Sequence, residues 1–145
     1  MKKILLMASS VLLTLSCSSS SDDNSSNNFQ NQTEIKTPQW LHGEWLRFEN
    51  ENQVSSLGYR ITSNDVCNIY NFETDDKHCE YEFIKQLNEG NYISKVIQES
   101  TDSSYYLEIR EESQFTYDFK KIDDNTISVR QGIKSNPYLK YRRKN

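Results

Sequence analysis

Residues 104–110 read Ser-Tyr-Tyr-Leu-Glu-Ile-Arg, and residues 115–120 read Phe-Thr-Tyr-Asp-Phe-Lys. The second stretch alternates between aromatic and polar side chains, which places Phe115, Tyr117 and Phe119 on one face of an extended chain. The first stretch shows the same two-residue period and contains aromatic and β-branched residues, which favour strands. Both stretches therefore predict β-strands with one buried face.

Similar runs continue this period through most of the chain between Trp40 and Arg143. They predict further strands at residues 44–48, 58–62, 66–72, 80–85, 92–97, 126–130 and 138–142. Turn-forming residues separate the runs at hairpin distances, at 63–65, 74–76, 88–91, 102–103, 123–125 and 135–137. No segment has the clear period of an amphipathic helix of about ten residues. The pattern predicts an all-β domain, a small antiparallel up-and-down β-barrel whose closure removes exposed strand edges.

The chain has 145 residues with 17 basic and 21 acidic side chains, which gives a formal net charge of −4. This length allows one folded domain. The negative balance argues against nucleic-acid binding, because such proteins need a basic face to displace the counterions of the phosphates. No stretch reaches the roughly 20 apolar residues that span a bilayer, so the sequence predicts no transmembrane helix.

The beginning of the chain is typical of a secretory signal peptide. Lys2 and Lys3 form a basic start, and residues 4–15 supply a short apolar segment. The polarity changes abruptly at Cys17, where a run of serines, aspartates and asparagines begins. We therefore assign residues 1–16 to a signal peptide.

Residues 13–17, Leu-Thr-Leu-Ser-Cys, resemble the lipobox of bacterial lipoproteins. The resemblance implies cleavage before Cys17 and acylation of that residue, and more than one acyl chain would anchor the protein firmly. Residues 18–23, Ser-Ser-Ser-Ser-Asp-Asp, are similar to the stretch that follows the lipidated cysteine in surface lipoproteins of the Bacteroidota. Together these resemblances imply a lipid-anchored location at the outer membrane or the cell surface. The alternative is an ordinary signal peptide cleaved nearby, which leaves a free thiol at Cys17.

Residues 17–37 contain almost no apolar side chains except Phe29 and Ile35. A segment of this composition does not bury enough apolar surface to fold, so we predict a disordered tether. As a flexible coil of ~20 residues, it would reach roughly 25 Å. The folded β-barrel domain is then expected to span residues 38–145.

Residues 38–41, Pro-Gln-Trp-Leu, suggest a short helical turn, and residues 43–45, Gly-Glu-Trp, open the first predicted strand. This order resembles the start of lipocalins and of shorter bacterial lipocalin-like domains, whose G-x-W motif closes one end of the barrel. The resemblance implies that Gly43 and Trp45 form such a barrel-closing motif, with a cation from the last strand packed over the tryptophan ring. Three residues near the C-terminus are candidates for this cation: Arg142, which we assign, Arg143 and Lys140.

Cys67 and Cys79 are the two cysteines that remain once Cys17 is acylated, and in an exported chain such a pair predicts a disulfide. A hairpin that turns near Glu73 would set them opposite each other. A redox pair is disfavoured because the spacing is not C-x-x-C. A zinc site built from these thiols and His78 is also disfavoured, because the spacing fits no ligand pattern and a disulfide would consume both sulfurs.

Acidic residues are concentrated around one predicted hairpin, at Asp65, Glu73, Asp75, Asp76, Glu80 and Glu82. We interpret them as a solvated hairpin, since Asp is favoured at turns, rather than as the paired carboxylates of a hydrolase or a weak calcium site. The chain contains no G-x-S-x-G, H-E-x-x-H or phosphate-loop motif. The sequence thus predicts neither an enzyme nor a metal or cofactor site.

The charge reverses toward the C-terminus, where no acid follows Asp124. Six basic residues accumulate there: Arg130, Lys134, Lys140, Arg142, Arg143 and Lys144. We interpret them first as a basic edge strand that discourages aggregation. The alternative is a surface that contacts acidic lipid headgroups or an acidic partner, including the acidic hairpin of the domain itself.

Aromatic residues make up 12% of the chain, and Tyr is the commonest of them. Core packing explains most of this content, but Tyr-rich β surfaces also bind ligands and proteins. The candidates for such a surface are Tyr59, Tyr70, Tyr81, Tyr92, Tyr105 and Tyr106.

Two hypotheses for function follow. The first is a membrane-anchored surface lipoprotein whose non-catalytic lipocalin-like domain binds a small apolar or amphipathic ligand. The second is a protein-interaction module, an immunity protein or accessory subunit of an envelope complex that uses the barrel exterior. An internal cavity lined by Tyr and Phe would favour the ligand, whereas a filled barrel with an exposed aromatic patch would favour a protein partner.

Overall fold

The computed structural model of the chain describes residues 34–50, 53–90, 95–110 and 114–145. The predicted signal peptide, Cys17 and most of the tether lie outside these residues. A 3₁₀ turn at Gln39–Leu41 is followed by β1 (Gly43–Asn50), β2 (Gln53–Thr62), β3 (Asp65–Asn71), β4 (Asp76–Cys79), α1 (Glu80–Glu89), β5 (Lys95–Ser100), β6 (Ser104–Arg110), β7 (Gln114–Lys121), β8 (Thr126–Gln131) and β9 (Leu139–Arg143). No helix in this described part of the chain is long and apolar enough to cross a membrane.

The strands form one antiparallel sheet in the order β4-β3-β2-β1-β9-β8-β7-β6-β5. Strands that follow each other in the chain are paired, with the exception of β4 and β5, and β1 also pairs with β9. The sheet curls into a half-barrel whose two edges are β4 and β5. The prediction of an all-β, antiparallel, up-and-down fold is confirmed, with one short helix added.

Residues 80–85 form the first part of α1, so the prediction of a strand there is wrong. Residues 80–83, Glu-Tyr-Glu-Phe, alternate between acidic and aromatic side chains as a strand would. Ile84 and Leu87, however, lie three residues apart, which is the spacing of one helix face. Glu80 and Glu82 stand in the first turn, where the helix dipole favours acidic side chains. β4 takes the place of the missing strand and runs immediately before the helix.

Residues 34–37 connect the edge strand β5 to the turn between β2 and β3. The Gln98 side chain of β5 accepts a hydrogen bond from the Lys36 N–H at 2.8 Å and donates one to the Glu34 carbonyl at 3.0 Å. The backbone N–H of the next residue donates to the β2–β3 turn at 3.1 Å. Ile35, which composition placed in the tether, is only 1% exposed and belongs to the core. The packed chain therefore begins before residue 38.

Side chains at alternate strand positions pack the interior of the half-barrel. Those of β6 and β7 are Tyr105, Leu107, Ile109, Tyr117 and Phe119. Aromatic rings meet at the centre, where the Tyr59 ring centroid lies 5.5 Å from that of Phe119 and 4.9 Å from that of Tyr141. Phe115 shares this face, as predicted, but it is 42% exposed because it stands at the start of β7.

One end of the half-barrel is closed by Gly43, Trp45 and Arg143. Trp45 is 1% exposed, and its Nε1 donates to the last carbonyl of the 3₁₀ turn at 2.8 Å. The Arg143 guanidinium lies 4.2 Å from the Trp45 ring centroid and donates to the carbonyls of His42 and Trp40 at 2.6 and 3.2 Å. Gly43 has a φ of +129°, and a Cβ there would lie 2.6 Å from the guanidinium. Both the backbone conformation and the close contact therefore require glycine.

Arg142, the cation assigned from the sequence, does not cover Trp45. In the β1–β9 register Trp45 stands opposite Arg143, so the side chain of Arg143 is the one that reaches the ring. Arg142 lies on the outer face, where its guanidinium is 4.7 Å from the Phe48 ring centroid. The assignment fails by one residue, and one residue along a strand reverses the face.

Cys67 and Cys79 form the predicted disulfide. They stand directly opposite each other on β3 and β4. The chain turns between these strands at residues 72–75, close to Glu73 as expected. The bond fastens the short edge strand β4 to its neighbour and fixes the point at which α1 begins.

Arg143→Ala would remove the cation over Trp45 and the donor to two backbone carbonyls. We expect a loss of about 2–4 kcal/mol in the free energy of unfolding. The matched control is Arg142→Ala, for which we expect a loss under about 1 kcal/mol because that guanidinium is exposed and contacts one ring. Urea unfolding followed by tryptophan fluorescence measures both variants. Equal losses would contradict the assignment of Arg143 to barrel closure.

Candidate functional site

The end of the half-barrel opposite Trp45, which we call the mouth, carries exposed aromatic side chains. Tyr70 at the end of β3 and Phe115 at the start of β7 are 52% and 42% exposed. Phe83 of α1 lies 6.3 Å from Phe115 in an edge-to-face arrangement and 5.4 Å from the His78 ring, between ring centroids. We define Tyr70, His78, Phe83 and Phe115 as the mouth cluster.

A buried polar centre lies beneath the mouth cluster. The Tyr117 hydroxyl donates a hydrogen bond to the Glu80 carboxylate and accepts one from Asn68 Nδ2 at 2.7 Å. Gln131 Nε2 lies 3.4 Å from the same hydroxyl. His78 Nε2 approaches the other Glu80 oxygen at 3.8 Å. These groups come from β3, β4, α1, β7 and β8, so the polar centre ties the helix to both halves of the sheet.

Burial dominates the chemistry of the polar centre. Glu80 is 2% exposed and Tyr117 is 1% exposed. Burial is the largest cause that raises the pKa of Tyr117 well above its ordinary value, and the charge of Glu80 raises it further. The phenol therefore keeps its proton and donates a hydrogen bond to the carboxylate. This arrangement stabilises a buried acid against the cost of desolvation.

The carboxylates of the predicted acidic hairpin have separate tasks. Asp75 is bound by Arg60 at 2.7 Å and by Lys77. Asp65 accepts a hydrogen bond from a backbone N–H in the first turn of α1 at 2.9 Å, and burial raises its pKa although backbone hydrogen bonds oppose the shift. Glu80 is buried in the polar centre. The interpretation as a solvated hairpin is therefore wrong for Asp65, which is half-buried against the first turn of α1, and for Glu80, which begins α1 and is buried.

The zinc alternative has no free thiol. Asp65, Cys67 and Cys79 bring potential ligand atoms within 4.8 Å of one another. Both sulfurs belong to the disulfide, so they supply no thiolate ligand. His78, the other member of the candidate zinc set, contacts Glu80 and the Phe83 ring.

The outer face of β7 and β8 carries a second polar constellation. The Asp118 carboxylate accepts hydrogen bonds from Arg130 Nη2 at 2.6 Å and from the Tyr138 hydroxyl. The Lys120 ammonium and the Arg130 guanidinium lie 4.4 and 4.7 Å from the Tyr138 ring centroid. Asp118, Lys120 and Arg130 border an open groove of about 700 Å³, together with Tyr106.

The structure separates the tyrosines that the sequence nominated for a surface. Tyr70 and Tyr81 are exposed, Tyr106 is partly buried on the outer face, and Tyr59 and Tyr105 are buried in the core. Tyr92 lies outside the described residues. No sequence pattern marks Phe83 as a site residue, because it lies in the segment that was wrongly predicted as a strand. Phe115 was expected in the core, since alternation fixes the face of a side chain but not its height in the barrel.

Tyr117 gives the folded protein a pH-dependent stability in the alkaline range. Its pKa lies above the ordinary value of 10.0, so the folded state keeps a proton that the unfolded chain releases there. The stabilisation is fully present below pH 10 and falls as the pH rises further. For Tyr117→Phe we expect a shallower fall above about pH 10. At neutral pH we expect a loss of about 1–3 kcal/mol, because Asn68 and Glu80 lose this partner.

Urea unfolding at a series of pH values compares Tyr117→Phe with the parent protein. The fall is expected to be shallower but not abolished, since burial also raises the pKa of Tyr59 and Tyr105. Parallel stability curves for the two proteins above pH 10 would contradict the role given to Tyr117.

No protein-family model, no curated protein and no solved structure matches this chain. The resemblances to lipoproteins and lipocalins therefore stay predictions.

Proposed function

We propose that the protein is a membrane-anchored surface lipoprotein whose half-barrel is a non-catalytic, protein-binding module. The mouth cluster is the contact surface. The observation that supports this most directly is the position of Tyr70, Phe83 and Phe115, which present aromatic rings at the open end above a packed core.

A packed interior favours a protein partner over an internal ligand. The space between the closed end and the polar centre is occupied by rings in mutual contact, with Tyr59, Phe119 and Tyr141 at the middle. Tyr117 and Glu80 lie above them and are hydrogen-bonded to each other. A small apolar molecule would have to displace these side chains, whereas a protein needs only the exposed rims of the rings. Aromatic residues are enriched at the centres of protein interfaces for this reason.

The surroundings of the mouth indicate what the partner presents. Glu73, in the turn between β3 and β4, and Asp76, the first residue of β4, are exposed. Asp75, between them, already has two cations bound to it. A complementary partner would place an apolar side chain against the rings of Phe83 and Phe115 and basic residues toward the turn.

The anchor and the tether give the module a location. Cys17 would hold the protein at the outer membrane or the cell surface, as the lipobox resemblance implies. The segment between Cys17 and Glu34 would reach roughly 23 Å as a coil. A domain at that distance is held close to envelope proteins but still free to turn toward them.

A photo-crosslinking residue in place of Phe115 tests the binding surface in intact producing cells. We expect a discrete adduct with a protein. Ile122 is the matched control position, because it is 52% exposed and lies at the opposite end of the half-barrel. Adding Tyr70→Asp to the protein that carries the crosslinking residue at position 115 is expected to reduce the adduct about tenfold or more, since it places a charge among the rings.

Equal crosslinking from positions 115 and 122, or none from 115, would contradict the proposed contact surface. An adduct whose mass corresponds to a lipid or another small molecule would replace the protein partner by the ligand of the first hypothesis. An adduct with a protein that Tyr70→Asp does not reduce would place the partner elsewhere.

The anchor has a test of its own. Mass spectrometry of the mature protein is expected to find acyl chains on Cys17 as the first residue. Cys17→Ser is expected to move the protein out of the membrane fraction, because each lost chain removes about 0.8 kcal/mol per buried methylene. A mature N-terminus away from Cys17 would contradict the anchor and would leave the binding surface untouched.

A further inference from the structure

A group of basic side chains covers the outer side of β7, β8, β9 and the loop between β8 and β9. We define this basic outer face by the residues Lys120, Arg130, Lys134, Lys140 and Arg142. It belongs to a chain whose formal net charge is −4, so positive charge is concentrated here against the overall balance.

The strand register makes the basic outer face continuous. Lys120 stands opposite Ser128, and Ser128 stands opposite Lys140, so the two lysines share one row across three strands. Arg142 lies two residues further along β9, opposite Thr126. These outward positions alternate with core residues and all lie on the convex side of the half-barrel.

The topology removes the first explanation for these charges. β9 was expected to be an edge strand, where basic residues discourage aggregation. It is instead an inner strand, paired with β1 on one side and β8 on the other. Protection of an edge therefore does not account for Lys140 and Arg142.

The acidic hairpin of the domain does not neutralise the face either. Asp75 of that hairpin binds Arg60 and Lys77. Within the face, Asp118 pairs with Arg130 at 2.6 Å, whereas among the described residues Lys134, Lys140 and Arg142 have no carboxylate partner within ion-pair distance. Of the explanations that the sequence suggests for these basic residues, contact with an acidic surface outside the domain remains.

Aromatic rings lie under the cations. The cations of Lys120 and Arg130 lie over the Tyr138 ring, and that of Arg142 lies over the Phe48 ring. Cations spread over aromatic rings on an outward-facing sheet match the composition of surfaces that lie on anionic membranes, where basic and aromatic residues occur together. The open groove on this face would suit an acidic peptide less well, because Glu99 and Asp118 line it together with Lys120, Arg130 and Lys134.

We propose that the basic outer face docks against the anionic headgroups of the membrane that holds the protein. The proposal rests on the location given by the proposed function, but not on the mouth cluster. The face lies on the side of the sheet and the mouth at its end, so a domain docked in this way keeps the mouth cluster accessible. The domain would then lie on the membrane surface rather than turn freely at the end of its tether.

The test uses residues 18–145, which retain the tether and every described residue but lack the acylated cysteine. Binding is measured by sedimentation with phosphatidylcholine vesicles, either alone or with about a third of the lipid replaced by phosphatidylglycerol. We expect binding only to the anionic vesicles, and we expect it to weaken steeply above about 0.1 M salt, where charges are screened within ~10 Å. Because no acyl chain is present, a failure here is distinguishable from a failure of the anchor.

The variant Lys140→Glu/Arg142→Glu is expected to lower the partition onto anionic vesicles by about twentyfold or more, since each basic residue contributes about a factor of five. The matched control is Lys36→Glu/Lys85→Glu, which makes the same change in net charge at two exposed positions away from the face. We expect less than about a threefold effect from the control at this salt concentration. Lys140→Gln/Arg142→Gln removes the two charges without reversing them and is expected to give a smaller loss of binding. Circular dichroism checks that each variant is folded.

Equal losses in the two charge-reversed proteins would overturn the proposal, since the binding would then follow net charge alone. Absence of a preference for anionic vesicles would also overturn it. Binding to poly-glutamate without binding to anionic vesicles would assign the face to an acidic polypeptide instead.

Discussion

The pairing of β1 with β9 is the constraint on which the other features depend. It joins the first and last strands of the domain in antiparallel register, with Trp45 opposite Arg143. The guanidinium then lies over the indole and binds the carbonyls that precede β1, which closes one end. The first and last strands are therefore neighbours in the middle of the sheet, and the open edges lie elsewhere. These edges are β4 and β5.

The unpaired edges explain the parts of the fold that are not strands. α1 follows β4 at once, held by the disulfide before it and by the Asp65 carboxylate at its first turn. Residues 34–37 fasten the β5 edge to the β2–β3 turn. The Glu80 carboxylate at the start of α1 is buried and needs a hydrogen-bond donor, which Tyr117 supplies from the opposite side of the half-barrel. The helix is thus held by a polar contact at its start and by aromatic contacts near the mouth.

Two surfaces of different character result from this arrangement. The mouth combines exposed aromatic rings with exposed acids, and the convex side of β7 to β9 combines cations with rings that lie beneath them. They point in different directions, so the membrane docking and the protein contact that we propose do not exclude each other. With its interior filled, the domain fits the proposed role of a module that positions a binding surface close to a membrane.

The sequence by itself determined the strand class and several particulars. The run 104–110 coincides with β6, and Cys67 with Cys79 was the pair left for a disulfide. Alternation decides which residues share a face, and this depends only on neighbours in the chain. The helix at Glu80, the burial of Ile35 and the choice of Arg143 over Arg142 depended on contacts between residues far apart in sequence. Only the tertiary structure decided these. A shift of one residue along a strand moves a side chain to the other face of the sheet. The segments that pack at the open edges are selected by contacts with distant parts of the chain.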